Sequence, residues 1–206
     1  MKDRFLIVVE GIADENFIRQ YLQHLFGQKV PDNFILRTNG KDSLKSSVAI
    51  NRMRSMTDQG GINLVIFDAD DDFESRRASI LEWKELNGLE FELFLLPNDQ
   101  DKGELEDLLE NVINPNNRPI LDCWENYEKE LTTLEIPGRT PPPLTTPAKK
   151  TKIYGYLEAL LGPSESEKKK IKEREREYDN TLHWNLDADY LYSLKKFIKS
   201  GLCDLK

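Results

Sequence analysis

Ile62–Asp70 has the sequence INLVIFDAD, an apolar run that ends in two aspartates separated by one residue. Gly60 and Gly61 precede the run, and its β-branched and aromatic residues are typical of a strand buried on both faces of a parallel sheet. Asp68 and Asp70 therefore lie where the strand ends. Because parallel α/β sheets bind ligands beyond the carboxyl ends of their strands, the segment predicts both a fold class and the position of a site.

Three further segments have the composition of strands, and helical patterns separate them. Arg4–Val9 and Asn33–Thr38 precede the central run, while Glu90–Leu96, closed by Pro97, follows it. Parallel neighbours need crossover connections, which the helices supply. The alternation predicts an α/β fold with a TOPRIM- or Rossmann-like, mostly parallel sheet flanked by helices.

Apolar spacing indicates which face of each helix packs on the sheet. The first helix is predicted from Asp14 to Gly27, the second after Asn39–Lys41, the third up to Leu86 and the fourth over Gly103–Val112. The residues expected to face the core are Phe17, Ile18, Tyr21, Leu22 and Leu25 in the first helix, Leu44, Val48 and Met56 in the second, and Leu105, Leu108 and Leu109 in the fourth.

The alternation of strands and helices ends after the fourth predicted helix. Residues 1–115 are predicted to form the sheet domain, and residues 116–206 a helical extension packed on it. A proline-rich loop at 136–147 contains five prolines, which favour extended chain over helix or strand. Helical patterns then follow at Lys149–Leu161, Glu165–Tyr178 and Ala188–Ser200.

Charge is distributed unevenly along the chain. The formal net charge is −8, but residues 1–138 carry −12 and residues 139–178 carry +4. This asymmetry allows a phosphate-contacting surface on an acidic protein, and a solvated helix of mixed charge explains Glu165–Glu177 equally well.

Cysteine usage and the N-terminal sequence narrow the class of protein. Cys123 and Cys203 are far apart and have no metal-ligand spacing, which favours free thiols over a disulfide framework or a zinc finger. The N-terminal sequence lacks the pattern of a signal peptide or a membrane span. These features predict a cytoplasmic protein that does not insert into membranes.

Glu10 ends the first predicted strand as Asp68 ends the third. Strand ends of a parallel sheet meet at one edge, so we expect these carboxylates to converge there with Asp70. Converging carboxylates repel one another unless a cation or a proton compensates, and Mg²⁺ prefers a few carboxylates together with water. The sequence therefore predicts a Mg²⁺ or Mn²⁺ site at Glu10, Asp68 and Asp70. Asp71 and Asp72 are instead expected to cap the next helix.

Other acidic and phosphate-binding motifs do not match this chain. An EF-hand starting at Asp68 needs glycine and glutamate where Phe73 and Ser79 stand. The hydroxyl residue expected after the paired acids of an aspartyl-nucleophile phosphatase is missing, as are the paired acids that follow the first strand of a receiver domain. No Gly-x-x-x-x-Gly-Lys-Ser/Thr or Gly-x-Gly-x-x-Gly pattern is present, which disfavours nucleotide-triphosphate hydrolysis.

Two segments together resemble the signature motifs of TOPRIM domains, namely Val8–Asp14 (VVEGIAD) and Val65–Asp70 (VIFDAD). The resemblance covers about residues 4–112. Further segments are similar to small stand-alone TOPRIM-like proteins and to the nuclease half of overcoming-lysogenization-defect proteins: Leu96–Asn98, Gly103–Leu109, Lys152–Leu157 and Trp184–Asp187.

The resemblance implies metal-dependent phosphodiester chemistry. Glu10 would act as a metal ligand or as a general acid/base, and Asp68 and Asp70 as ligands of Mg²⁺ or Mn²⁺. Glu106 is a candidate ligand of a second ion, although an acid in the first turn of a helix is also favourable by itself. Lys150 and Lys152 are candidates for neutralising a phosphate of nucleic acid, or are simply exposed lysines.

TOPRIM domains are usually parts of larger multidomain enzymes, and the domains that accompany them there are not found in this sequence. It contains no ATPase part, no zinc-ribbon cysteines and too few residues for topoisomerase clamp domains, so nuclease is the leading function. The alternative is a non-catalytic TOPRIM-like subunit that binds a metal or a nucleotide in a larger nucleic-acid-processing or defence complex. A separate ATPase or another protein is then the expected partner. His24 and His183 receive no functional assignment, and DNA versus RNA and the oligomeric state stay open.

Overall fold

The structure is a computed structural model that describes residues 4–38, 46–140, 144–162 and 164–203. The first half alternates strands and helices: β1 (Phe5–Val9), α1 (Ile12–Phe26), β2 (Ile35–Arg37), α2 (Ser47–Asp58), β3 (Ile62–Asp68), α3 (Phe73–Leu86), β4 (Glu92–Leu96) and α4 (Leu105–Asn111). The second half is helical: α5 (Arg118–Thr133), α6 (Lys149–Leu161), α7 (Glu165–Lys169) and α8 (Tyr192–Leu202).

The four strands form one parallel sheet in the order β2-β1-β3-β4. The chain leaves β1 toward β2 on one side and later returns to place β3 on the other side of β1. This reversal makes the crevice between the ends of β1 and β3 the topological switch point, where open α/β sheets bind ligands. The predicted parallel α/β fold is confirmed.

Alternate residues of each strand face opposite helical layers, as the two-residue period of a strand requires. Phe5, Ile7 and Val9 belong to a hydrophobic cluster with α1, α4 and the C-terminal helices. Leu6 and Val8 belong to a second cluster with α2 and α3. Every residue of β1 is fully buried, which explains why the strand has no polar position before Glu10.

The C-terminal helices share the larger hydrophobic cluster with the sheet, since Ile153, Leu194 and Leu202 are among its members. Side chains of α1 also anchor the segment after α7. Asn16 donates hydrogen bonds to the carbonyls of Glu173 and Arg176, and Gln20 accepts one from the Tyr178 N–H at 2.6 Å. Within the described residues, no helix has the length and apolarity needed to cross a membrane.

Two local predictions differ from the structure, and one helix was not predicted. α2 buries Ala49 and Met53, and Val48 is 62% exposed, because the helix begins only at Ser47 and turns Val48 outward. Helix α7 ends at Lys169 rather than at Tyr178, since side chains of α1 bond the backbone of the segment that follows it. α5 was not predicted, and its one fully buried residue is Leu121. Leu44, Asn39–Lys41 and Pro141–Pro143 lie outside the described residues.

Candidate functional site

The ends of β1 and β3 bring acidic side chains to one edge of the sheet. β1 and β3 pair in register with Val9 beside Ile66, so Glu10 follows one strand where Asp68 ends its neighbour. The N-terminal turns of α1 and α4 add two more acids. We call this group the carboxylate cluster, and it consists of Glu10, Asp14, Asp68, Asp70 and Glu106.

Glu10 is 7% exposed and is held by an arginine. The Arg76 guanidinium donates a hydrogen bond to Glu10 Oε1 at 2.5 Å. Burial raises the pKa of Glu10, the charge and hydrogen bond of Arg76 oppose that rise, and the negative charge of Asp70 adds to it. Catalytic acids and bases are often buried carboxylates with a raised pKa of this kind.

Asp68 is the most perturbed acid of the cluster. Its Oδ1 accepts a hydrogen bond from the Leu105 N–H at 3.0 Å, at the start of α4. Burial, and then the charges of Asp14, Glu10 and Glu106, raise the pKa of Asp68 to about 9. Without a cation, this carboxyl therefore holds a proton at neutral pH.

Asp14 was predicted only as the start of a helix, and the structure places it inside the cluster. It is 6% exposed, and its Oδ2 accepts a hydrogen bond from the Gly11 N–H at 2.7 Å, which closes the N-terminal turn of α1. Burial, opposed by this bond, raises the pKa of Asp14 to about 6. Its position at the third residue of a helix that starts beside a strand end is the sequence signal that could have identified it.

Asp70 joins the end of β3 to the loop before α4. Its φ is +58°, a left-handed conformation that aspartate tolerates better than most residues. Asp70 and Gly103 exchange two backbone hydrogen bonds, of 2.9 and 2.8 Å. Asp72 caps α3 as predicted, because its side chain accepts a hydrogen bond from the Ser75 N–H at 3.1 Å.

Glu106 is partly buried in the first turn of α4. Burial raises the pKa of its carboxyl and the nearby charge of Glu104 raises it further, while Arg176 and Lys150 favour the charged form. This environment departs from that of a fully solvated acid at a helix N-terminus. The structure brings all four acids predicted from the sequence, Glu10, Asp68, Asp70 and Glu106, into one electrostatically coupled group.

The lysines of α6 have carboxylate partners within the protein. Lys149 pairs with Asp107 at 2.7 Å, and Lys150 pairs with Glu173 while staying half exposed. The Lys152 side chain is 11% exposed and lies 3.1 Å from Glu110 and 3.6 Å from Glu128. Of the two lysines predicted to contact a phosphate, Lys150 is therefore the accessible one, and Lys152 is buried against two carboxylates.

Arg76, like Asp14, belongs to the site but was not predicted from the sequence. Besides its bond to Glu10, its Nε lies 3.6 Å from Asp70 Oδ2 and donates to the Asp68 carbonyl at 3.3 Å. Arg76 lies one helical turn after the Asp72 cap, and side chains of a helix tilt toward its N-terminus. This spacing is the sequence signal that could have placed Arg76 at the strand ends. The two histidines lie elsewhere: His24 pairs with Asp187, and burial lowers the pKa of His183.

The fit of the carboxylate cluster to a divalent ion depends on the spacing of its side chains and on their donor atoms. In residues 4–38, 46–140, 144–162 and 164–203, no three His, Cys, Asp or Glu side chains are placed to hold one metal. The donor type nevertheless fits, because carboxylate oxygens are ligands of Mg²⁺ and Mn²⁺. The guanidinium of Arg76 acts as a stand-in cation between Glu10 and Asp70. The residues present thus match a cation in charge and donor chemistry, and Arg76 occupies that role here.

Comparison with known protein families identifies the family of this chain. The profile of the family described as "Protein of unknown function (DUF3226)" matches residues 4–202, so the chain belongs to this family. No curated protein and no solved structure matches the chain.

Proposed function

We propose that this member of the DUF3226 family is a divalent-metal-dependent nuclease that hydrolyses phosphodiester bonds of DNA or RNA at the carboxylate cluster. One observation carries the proposal: mutually repelling, desolvated carboxylates meet at the switch point of a parallel sheet, where Asp68 has a pKa of about 9. Such an arrangement costs stability, so it persists mainly where it binds a ligand or takes part in a reaction. Similarity of Val8–Asp14 and Val65–Asp70 to TOPRIM motifs points to the same chemistry.

Glu10, Asp68 and Asp70 are the residues that would hold Mg²⁺ or Mn²⁺, and Glu106 is the candidate for a second ion. A bound ion would neutralise charge at phosphorus and lower the pKa of water. In hydrolysis the water oxygen bonds to phosphorus as the bond to the leaving oxygen breaks. Glu10 accepts the proton of water, and the leaving oxygen gains a proton from solvent. The N–H of Leu105 keeps the Asp68 carboxyl oriented during this step.

Nucleic acid is the proposed partner, with Lys150 and its neighbour Lys149 as phosphate contacts. Lys150 is half exposed, and its charge already acts on Glu106. A lysine this close to the cluster offsets part of the repulsion that an acidic protein exerts on a polyanion. A phosphate would replace Glu173 as the partner of Lys150, because exposed ion pairs are weak.

The second candidate is a non-catalytic subunit that binds a metal or a nucleotide at the same edge and works with a separate ATPase or another protein. The contact of Arg76 with Glu10 favours it, because an internal counter-ion lets the cluster persist without chemistry. Product formation separates the two functions.

A cleavage assay with Mn²⁺ or Mg²⁺ on single- and double-stranded DNA and RNA tests the proposal. Glu10→Gln keeps the size of the side chain but cannot accept the proton, so we expect turnover to fall by about 10²–10⁴-fold. Asp71→Asn, at an exposed acid near the site, is the matched control and should keep wild-type turnover. Equal metal-dependent cleavage by wild type and Glu10→Gln would show that contamination produces it, and would leave the binding subunit as the function.

A further inference from the structure

Arg76 contacts three parts of the carboxylate cluster from one position on α3. Its guanidinium lies 2.5 Å from Glu10 Oε1 and 3.6 Å from Asp70 Oδ2, and it also bonds the Asp68 carbonyl. The contacts with Glu10 and Asp70 are to carboxylates that would hold a divalent ion, whereas the contact with Asp68 is to its backbone. A guanidinium and a metal ion both carry positive charge, so they compete for the same carboxylates.

The Glu10 side chain is only 9% exposed, and a buried carboxylate without a counter-charge is strongly destabilising. Arg76 provides that charge through a short, charge-assisted hydrogen bond. The arginine thus stabilises the protein without metal, and it does so by occupying a ligand oxygen.

The side chain of Arg76 can leave without a change in the backbone. The Arg76 N–H bonds the Asp72 carbonyl at 3.0 Å, so its backbone belongs to the capped first turn of α3. Its side chain is 17% exposed, nearly twice the fraction of Glu10, and therefore reaches solvent at the edge of the site. Rotation of a long side chain about its own bonds is enough to free both carboxylates.

We propose that Arg76 is an exchangeable counter-ion that neutralises Glu10 and Asp70 in the metal-free protein and sets metal affinity by competing for them. The inference rests on the proposed function, since it assumes that the cluster takes a divalent ion. Arg76 is a positioning residue in this scheme: it holds the ligands in place before metal arrives and gives them up on binding.

Arg77 provides a matched control. It is the next residue of α3 and pairs with Asp99 at 2.9 Å rather than with a proposed ligand. Arg76→Gln and Arg77→Gln remove the same charge from the same helix, so long-range electrostatics change similarly in both. Any difference between them reports the contact with the cluster.

Calorimetric titration with Mn²⁺ of wild type and both variants tests the inference. We expect Arg76→Gln to bind Mn²⁺ at least about tenfold more tightly than wild type, the equivalent of losing one competing charge-assisted hydrogen bond. Arg77→Gln should change affinity less than about threefold. Without metal, Arg76→Gln should melt at a lower temperature than Arg77→Gln, and Mn²⁺ should raise its melting temperature more. Arg76→Lys, which keeps the charge but cannot bridge two carboxylates, should give an intermediate affinity and provides a folded variant if Arg76→Gln does not fold.

Two other outcomes would contradict either the competing role of Arg76 or the metal site itself. Equal Mn²⁺ affinity in all variants, or weaker binding by Arg76→Gln, removes the competing role of Arg76 and leaves the metal site standing. Failure of wild type and every variant to bind Mn²⁺ removes the proposed metal site and this inference with it.

Discussion

The carboxylate cluster and the Lys152 ion pairs are both partly buried sets of charges, but their balance of charge differs. In the Lys152 ion pairs, one ammonium lies between Glu110 and Glu128 on neighbouring helices. In the carboxylate cluster, acids face one another closely enough that Asp14, Glu10 and Glu106 all raise the pKa of Asp68. The Lys152 ion pairs connect helices, whereas the carboxylate cluster holds like charges close together.

This difference separates a structural role from a functional one. Breaking a buried ion pair costs stability because it leaves a charge uncompensated. Removing an acid from an unbalanced group relieves repulsion instead, so such groups persist mainly where they bind or react. Removal of Lys152 should therefore lower stability without changing metal binding, whereas removal of acids from the carboxylate cluster should abolish metal binding without lowering stability.

The largest expected effect is the pH dependence of metal affinity. The pKa of Asp68 is raised to about 9, above its ordinary value, so below that pH a proton must leave before the carboxylate binds a cation. We expect Mn²⁺ affinity to rise about tenfold per pH unit, or about 100-fold between pH 6.5 and 8.5. Calorimetry in buffers of different ionisation enthalpy should find about one proton released per ion. A flat pH profile would contradict a protonated Asp68.

The next effect tests the Lys152 ion pairs. Lys152→Met keeps the apolar stem of the side chain but leaves Glu110 and Glu128 without their shared cation. We expect the free energy of unfolding in urea to fall by about 1–3 kcal/mol, with Mn²⁺ affinity unchanged. Lys150→Met, at a half-exposed pair, should cost less than about 1 kcal/mol. A smaller loss of stability in Lys152→Met than in Lys150→Met would contradict a structural role for the Lys152 ion pairs.

The smallest effect concerns nucleic-acid binding by α6. Lys149→Gln together with Lys150→Gln should weaken binding a fewfold and reduce the slope of log affinity against log salt by about one to two, since fewer counterions are released. Lys196→Gln with Lys199→Gln, two exposed lysines of α8, removes the same charge away from the cluster. If both pairs of substitutions change the slope equally, the contribution of α6 is only that of net charge.

Strand positions and the site edge could be predicted because continuous apolar runs leave few alternatives. Phe5–Val9 and Ile62–Asp68 have no competing helical period, and Glu10 and Asp68 mark the ends of both strands. Parallel pairing then places these acids together without any knowledge of side-chain packing.

Arg76 and α5 could not be found in the same way. An arginine on an amphipathic helix looks like a solvated residue until the fold shows that it faces Glu10. α5 completely buries only Leu121 and carries acids along its length, so its composition resembles that of a solvated segment although its apolar residues share one face. Lys152 looked exposed because its two carboxylate partners come from separate helices, α4 and α5.

Calorimetric titration of Mn²⁺ into wild type and into Asp68→Asn with Asp70→Asn tests the central claim most directly. Asp71→Asn with Glu74→Gln, two exposed acids nearby, is the charge-matched control. We predict that wild type and the control bind the ion, that the Asp68/Asp70 variant does not, and that this variant without metal is at least as stable in urea as wild type. Wild-type Mn²⁺ affinity in the Asp68/Asp70 variant would contradict the assignment of the carboxylate cluster as a metal site.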